Sequence, residues 1–342
     1  MKPLLDKVEF YITNVCNFNC DNCNRLNNYF FNGHQLWKDH ADVYAQWAEK
    51  IDIKTISILG GEPLLNPSLV EWVEGIRRLW PTAPLRVVTN GSRLKYWPEL
   101  YAKFVENQVE LTVTAHNRSR YSDLVNEVVG FMQAPVAKKY DGAFLWPDVY
   151  NQIRDASWPD CVSIDEFDQL PQHIQDECRD VHKIDPDNFL YSTSKMHLTD
   201  ANGFKVGFDH AENFVTAPLR YDGQGTFQVY NSDPVQAHDV CISKHCHHFI
   251  RGKLYKCHHV ALLPEFMDQF HVNISDQDQQ LLAEYQPLTP DSDQIQQFFD
   301  QIKQPIAQCK LCPSKLEDYP LESGTNKPKV PKKTIKIQAL DH

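Results

Sequence analysis

The chain has 342 residues, 42% of them hydrophobic, with a formal net charge of −11 and ten cysteines. This length predicts about two domains or one large α/β barrel, and the acidic balance disfavours general binding to nucleic-acid backbones. No apolar run reaches the ~18 residues of a membrane span, and the N-terminus is charged too early for a signal peptide. We therefore expect a cytoplasmic protein without membrane contact, whose clustered cysteines indicate metal binding or catalysis rather than disulfides.

The first 130 residues alternate between strand and helix patterns. Short β-branched runs predict four strands, and apolar residues at helical spacing predict a helix after each of them. Four such units in series predict a parallel sheet with crossover helices. We expect the strands at 8–13, 54–59, 85–89 and 109–115, and the helices at 34–50, 67–80, 94–107 and 121–131.

The conspicuous polar motifs of this segment all lie where a predicted strand ends. Parallel sheets bind ligands at the carboxyl ends of their strands, so the motifs together predict one active site. In strand order they are Cys16, Cys20 and Cys23; Gly60, Gly61, Glu62 and Pro63; Thr89 and Asn90; and Thr114.

The strand–helix pattern weakens after residue 131. Between Asp148 and Asp187, eleven acidic residues stand against three basic ones, so this stretch carries −8 of the net charge. It contains three prolines, follows Pro147 and shows no strong period, which is typical of a solvated insertion, here spanning about 134–195. We hypothesise that it helps select a substrate, and we expect its Cys161 and Cys178 to be ordinary thiols. Later strands are predicted at 195–199, 204–208 and 226–230.

The last third of the chain holds a second cysteine group mixed with histidines. Zinc accepts Cys/His ligand mixtures, and four thiolates can instead hold an iron–sulfur cluster. Both kinds of metal site stay open at this point, because histidines lie among the cysteines. There are five candidate cysteines for four ligand places. The candidates are Cys241, Cys246, Cys257, Cys309 and Cys312.

The N-terminal motifs resemble those of the radical S-adenosylmethionine (radical SAM) superfamily. The resemblance rests on Cys16-x3-Cys20-x2-Cys23 and on the Gly-Gly-Glu-Pro run that begins at Gly60. It implies a partial (β/α)6 TIM-like barrel in which the three cysteines hold a [4Fe-4S] cluster with one open iron. It also implies reductive cleavage of S-adenosylmethionine to a 5′-deoxyadenosyl radical, which abstracts hydrogen from a peptide or small-molecule substrate. The electron would come from a reductant such as flavodoxin or ferredoxin.

The same resemblance implies cofactor contacts at the strand ends. The run Gly60 to Pro63 would lie along the methionine amino group, and Thr89, Asn90 and Thr114 match positions that face the ribose and the carboxylate. One residue departs from the family pattern: Asn22 stands before the third cysteine, where relatives usually carry an aromatic residue near the adenine.

The C-terminal cysteines resemble a twitch/SPASM-like auxiliary domain. This implies a second [4Fe-4S] cluster, with zinc as the alternative, and Cys241 fits the spacing better than Cys246. The predicted organisation is a radical SAM core at 1–235, an auxiliary cluster domain at 236–320 and a Lys/Pro-rich tail at 321–342.

A non-catalytic protein is the alternative interpretation of the same cysteines. An iron–sulfur or zinc-binding scaffold, or an electron-transfer protein, would use both groups without cleaving S-adenosylmethionine. Modification of nucleic acid is disfavoured by the net charge.

Overall fold

The computed structural model describes most of the chain outside the acidic insertion and the tail. The predicted insertion, with Cys161 and Cys178, lies almost wholly outside the described residues, and so does most of the Lys/Pro-rich tail. The described ranges are 2–20, 22–29, 33–116, 121–133, 136–141, 195–210, 213–214, 216–222, 226–317, 319–320 and 323–324. Within these ranges, no helix is both long and apolar enough to cross a membrane.

The residues divide into two units, Met1–Arg86 with Asn213–His342, and Val87–Glu212. This division differs from the predicted boundaries at 235 and 320, and the proposed domains stay a prediction.

The first unit holds most of the strands. Those before residue 87 are β1 (Leu4–Leu5), β2 (Val8–Tyr11), β3 (Asn19–Cys20), β4 (Asp52–Ile53), β5 (Ile56–Leu59) and the start of β6 (Leu85–Thr89). The second unit adds β7 (Val109–Ala115), β8 (Val136–Asp141), β9 (Lys195–Asp200) and β10 (Lys205–His210). The first unit resumes with β11 (Asn213–Phe214), β12 (Arg220–Tyr221), β13 (Phe227–Gln228), β14 (His247–Ile250), β15 (Lys253–Tyr255), β16 (Val272–Asn273), β17 (Tyr319–Pro320) and β18 (Ser323–Gly324).

The helices follow the apolar spacing of the sequence. They are α1 (Ala41–Lys50), α2 (Leu69–Leu79), α3 (Leu100–Glu106), α4 (Tyr121–Phe131), α5 (Pro234–Asp239), α6 (His258–Gln269), α7 (Asp276–Ala283) and α8 (Ile295–Gln301). The predicted helix 94–107 is shorter than expected: a 3-10 turn at Leu94–Tyr96 precedes α3. Pro98 explains the break, because proline cannot donate the backbone hydrogen bond of a helix interior.

The longest strand pairs around β2 in the first unit are parallel. Strand β2 pairs in parallel with β5 on one side and with β14 on the other, and β15 is antiparallel to β14. In the second unit, β7 and β10 are parallel, whereas β9 is antiparallel to both β10 and β8. The predicted α/β fold with a parallel-rich sheet is confirmed.

The pairing of β14 with β2 brings the two cysteine groups into the same unit. Phe249 of β14 packs on Phe10 of β2 with ring centroids 5.0 Å apart, and both side chains are fully buried. A second core places Leu26, which follows the first cysteine loop, in one cluster with Leu263, Phe266 and Leu311. The N-terminal loop and the C-terminal segment therefore share their packing.

Candidate metal centres and cofactor site

The three N-terminal cysteines lie on one short stretch after β2. Cys16 precedes β3, Cys20 ends it, and the N–H of Cys23 donates to the carbonyl of Cys20 over 3.3 Å. Cys20 is buried and the other two are half-buried. Burial raises the pKa of Cys16 to about 12, and the negative charges of Glu62 and Cys23 add to the shift. A metal that binds here has to release the thiol protons.

Two backbone conformations shape this loop. Asn22 and Leu26 both have φ of 60°. Asparagine is enriched in the left-handed region, whereas an aromatic residue is strained there, which gives a physical reason for the departure from the family pattern at Asn22. Leu26 adopts the same conformation although it is bulky, and it is 3% exposed. Its burial in the shared core is what holds the end of the loop.

The glycine pair after β5 packs against the backbone of the cysteine loop. The N–H of Gly61 donates to the carbonyl of Thr13 over 2.8 Å. A Cβ on Gly60 would lie 2.4 Å from that carbonyl oxygen, and one on Gly61 would lie 2.2 Å from the carbonyl oxygen of Val15. The resemblance places these glycines along the methionine amino group of the cofactor, a contact that stays a prediction. In the structure, the chain's own loop takes the space of those Cβ atoms, so the glycines set the position of Cys16.

Replacing Gly61 with alanine is therefore expected to displace the cysteine loop. We expect a loss of about 1–3 kcal/mol in the free energy of unfolding, as for an overpacked site, together with reduced iron binding by the N-terminal cysteines. Urea denaturation and iron analysis measure the two effects. Gly130→Ala is the matched control, because nothing lies within 4 Å of its added Cβ and alanine is favoured in a helix. Full stability and full iron content in Gly61→Ala would contradict this role.

Glu62 is fully buried, and its charge acts on the Cys16 thiol. One of its carboxylate oxygens accepts from the N–H of Leu64 over 3.0 Å and caps the 3-10 helix that begins at Pro63. The cap fixes the carboxylate beside the cysteine loop. A carboxylate offers further acceptor positions, so Glu62 can also accept from an ammonium group; its cofactor contact and that of Pro63 stay predictions.

In the second unit, the predicted ribose-facing residues form a turn after β6. Thr89 Oγ1 accepts from the N–H of Gly91, and Asn90 Oδ1 accepts from the N–H of Ser92, each over 3.0 Å. Both side chains are buried, whereas Thr114 in β7 is half-buried. These bonds give Thr89 and Asn90 a structural role, and the cofactor contacts of all three residues stay predictions.

The structure brings together four of the five C-terminal cysteines. The pKa of each thiol in this group is raised by burial, to about 12 for Cys257. The charges of Cys241, Cys257 and Cys309 all act on Cys312. Cys257 precedes α6, and the N–H of Cys312 donates to the carbonyl of Cys309 over 3.0 Å. We call Cys241, Cys257, Cys309 and Cys312 the C-terminal thiol group.

Cys246 lies in different surroundings. It directly precedes β14, and its thiol is buried beside Glu9 and His248, with candidate ligand atoms of the three within 4.8 Å of one another. Burial raises the pKa of Cys246, and the charge of Glu9 raises it further. The guanidinium of Arg25 already contacts this set, at 2.6 Å from Glu9 Oε2 and 2.9 Å from His248 Nε2. A resident cation therefore neutralises the cluster.

The spacing of the thiols bears on the kind of metal they fit. In a tetrahedral zinc site with Zn–S bonds of about 2.3 Å, the sulfurs lie about 3.8 Å apart. In the part of the chain that the structure describes, only the set around Cys246 has three ligand atoms within 4.8 Å. No three cysteine sulfurs of either group therefore lie within 4.8 Å of one another in the described residues. The thiolates of a [4Fe-4S] cluster each bind a different iron and need no closer spacing, and for the C-terminal cysteines both kinds of metal stay open.

The comparisons with known proteins identify a family for the N-terminal part. Residues 10–134 match the model of the Radical SAM superfamily. A probable GTP 3′,8-cyclase of Thermococcus kodakarensis is 28% identical over 102 residues, which cover 30% of this chain and 33% of that protein. The GTP 3′,8-cyclase of Listeria monocytogenes is 26% identical over 118 residues, covering 34% and 35%. The chain thus matches about a third of the length of these relatives.

Two solved structures are similar to a lower degree. BtrN in complex with AdoMet and 2-DOIA is 15% identical with a TM-score of 0.41, covering 91% of this chain and 94% of that chain. SuiB of Streptococcus suis is 11% identical with a TM-score of 0.32, covering 88% and 66%. The family match contains Cys16, Cys20, Cys23 and the run from Gly60 to Pro63, the motifs on which the resemblance rested. Over residues 10–134 the chain is therefore similar to the Radical SAM superfamily.

Proposed function

We propose that the protein is a radical SAM enzyme. Cys16, Cys20 and Cys23 would hold a [4Fe-4S] cluster, with S-adenosylmethionine bound at its open iron. When bound and reduced, this pair supplies a 5′-deoxyadenosyl radical that abstracts hydrogen from a substrate. The observation that carries the proposal is the contact of the Gly60–Gly61 pair with the cysteine loop, which joins the two family motifs at one place.

The chain's own residues would orient the cofactor. Glu62, buried and fixed by its bond to Leu64, would accept from the methionine ammonium. Thr89 and Asn90 would face the ribose, and Thr114 the carboxylate.

The C-terminal thiol group would hold a second [4Fe-4S] cluster, with zinc as the alternative. The mutual effects of the four thiols support Cys241, Cys257, Cys309 and Cys312 as its ligands. Cys246, first counted among five candidates, would stay outside this centre.

The substrate would be a peptide or a small molecule, and an external reductant such as flavodoxin or ferredoxin would supply the electron. This chain matches only about a third of the length of the relatives named GTP 3′,8-cyclases. We therefore do not propose their substrate for this chain.

Replacing Cys16 with alanine is expected to abolish release of 5′-deoxyadenosine. The wild-type protein, reconstituted anaerobically with iron and sulfide and reduced with dithionite, should release it from S-adenosylmethionine, because the cluster then has its three thiolates. Chromatography of the quenched mixture measures the product. Cys246→Ala is the matched cysteine control and should retain the release. A wild-type protein that binds iron or zinc without releasing 5′-deoxyadenosine would instead support a scaffold or electron carrier.

A further inference from the structure

A buried lysine stands directly before one of the C-terminal thiols. Among the described residues, Lys256 is the only buried lysine, at 6% exposure. Its ammonium donates to two backbone carbonyls, that of Ile302 over 2.6 Å and that of Gln304 over 2.5 Å. These carbonyls belong to the segment that leads to Cys309, so one side chain connects the neighbourhood of Cys257 with that of Cys309.

The backbone of Lys256 is held as firmly as its side chain. Its N–H donates to Tyr285 Oη over 2.8 Å, and its carbonyl accepts from His247 Nδ1 over 2.9 Å. These bonds fix the ammonium in one place, unlike that of an exposed lysine side chain.

The charge of Lys256 has no carboxylate partner. Within the described ranges, no Asp or Glu forms an ion pair with it; the groups whose negative charge acts on it are the thiols of Cys309, Cys257 and Cys241. Burying an ammonium is unfavourable unless an opposite charge lies close by. Two carbonyl bonds satisfy two of its three donors without neutralising it. The site therefore calls for an anion at the C-terminal thiol group.

A metal centre with four thiolates supplies such an anion. Four thiolates around a core of charge +2, whether [4Fe-4S] or zinc, leave a net charge of −2. Two other lysines lie close to these cysteines in the chain: the ammonium of Lys244 donates to the carbonyl of Asp239, and that of Lys310, next to Cys309, is paired with Asp278 at 2.8 Å. The charge of Lys256 acts on both Cys241 and Cys309.

We propose that Lys256 is the counter-ion and positioning residue of the second metal centre. Its charge favours the more negative, reduced form of an iron–sulfur cluster there, and its two carbonyl bonds hold the segment before Cys309. The proposal rests on the proposed second centre, and it adds a residue whose charge sets the properties of that centre.

The test separates charge from tethering. Lys256→Gln keeps amide donors for the carbonyls of Ile302 and Gln304 but removes the charge, whereas Lys256→Arg keeps a charge. Lys253→Gln is the matched control, because Lys253 is an exposed lysine three positions earlier on β15. All variants are made in the full chain and reconstituted anaerobically. Spectroelectrochemical titration gives the midpoint potential of the second cluster, and transfer of metal to a chelator gives its rate of loss.

We expect Lys256→Gln to lower the ratio of reduced to oxidised second cluster at least tenfold at a fixed applied potential, about 59 mV for a one-electron couple. We also expect at least tenfold faster metal loss, a readout that applies to zinc as well. Lys253→Gln should match the wild type. If Lys256→Gln does not take up metal, Lys256→Arg is the deciding variant. Metal uptake by Lys256→Arg at the wild-type potential supports the role of the charge. If neither variant takes up metal, that role is overturned.

The proposal is overturned if Lys256→Gln takes up metal and matches the wild type in both potential and metal loss. Failure of the proposed second centre is a separate result. In that case Cys309→Ala would contain as much metal as the wild type. This comparison is made before any Lys256 variant is measured.

Discussion

Replacing Cys309 with alanine is expected to halve the iron content of the reconstituted protein, whereas replacing Cys246 is expected to leave it unchanged. The wild-type chain should bind roughly eight irons if both clusters form. Cys309 belongs to the C-terminal thiol group, and loss of one of four thiolates leaves a cluster open to solvent and reductant. Cys246 is buried beside Glu9 and His248. Iron and sulfide analysis after anaerobic reconstitution measures the difference.

The pair of variants also tests which metal occupies the second centre. If zinc is bound, Cys309→Ala should lose one zinc and no iron. Electron paramagnetic resonance of the dithionite-reduced proteins gives an independent result, because one of two overlapping signals should disappear in Cys309→Ala. Loss of four irons in Cys246→Ala, with retention in Cys309→Ala, would reverse the assignment of ligands.

The sequence spacing alone could not decide among the five cysteines. Cys241 and Cys246 are only five positions apart, and both precede the glycine turn at Gly252. Their surroundings differ because β14 pairs with β2, whose register sets His247 opposite Val8. This contact joins residues far apart in the chain, and no local pattern specifies it. The resemblance favoured Cys241 by spacing; the surroundings of Cys246 give that choice a physical reason.

Local patterns predicted the first four strands and placed the four helices, since their apolar periods and turn residues are strong, although α1 begins at Ala41 and not at residue 34. Strands β6 and β7 lie at the predicted positions, 85–89 and 109–115. The function of the glycine pair was harder to predict. The resemblance placed Gly60 and Gly61 along the methionine end of the cofactor, whereas their contact with the cysteine loop depends on how β2 and β5 pair.

The buried charges were missed, although the sequence contains a signal for one of them. Glu9 interrupts the apolar run Val-Glu-Phe-Tyr of β2, and a charge within a buried strand requires a partner. Its partners Arg25 and His248 could not be named, because they come from a loop and from a distant strand. The burial of Lys256 could not be predicted either, because its partners Ile302 and Gln304 lie far along the chain.

Replacing Glu9 with glutamine is expected to destabilise the metal-free protein by about 3–5 kcal/mol, since it leaves a buried cation without its partner. Glu9 Oε2 lies 2.6 Å from Arg25 Nη2 and 2.7 Å from His248 Nε2. Burial lowers the pKa of His248, so the imidazole is neutral near pH 7 and Arg25 is the main counter-charge. Urea denaturation followed by circular dichroism gives the free energy of unfolding.

A double variant and an exposed pair serve as controls. Glu9→Gln combined with Arg25→Gln should recover part of the loss, because the unpaired charge is removed as well. Glu106→Gln breaks the pair with Lys103, whose side chains are 67% and 41% exposed, and should cost less than about 1 kcal/mol. Equal losses in Glu9→Gln and Glu106→Gln would contradict a buried ion pair.

The pH dependence gives the same prediction a second readout. Burial alone would raise the pKa of Glu9, but the charge of Arg25 holds it well below 4.5. The folded-state pKa is thus lower than the unfolded-state value, so the carboxylate's contribution is complete above about pH 4.5 and is lost as the pH falls through the folded-state pKa. The difference in stability between the wild type and Glu9→Gln should therefore be constant from pH 6 to 8 and shrink in acid. A difference that persists unchanged at the lowest pH where both proteins fold would mean that Glu9 acts through its shape and not its charge.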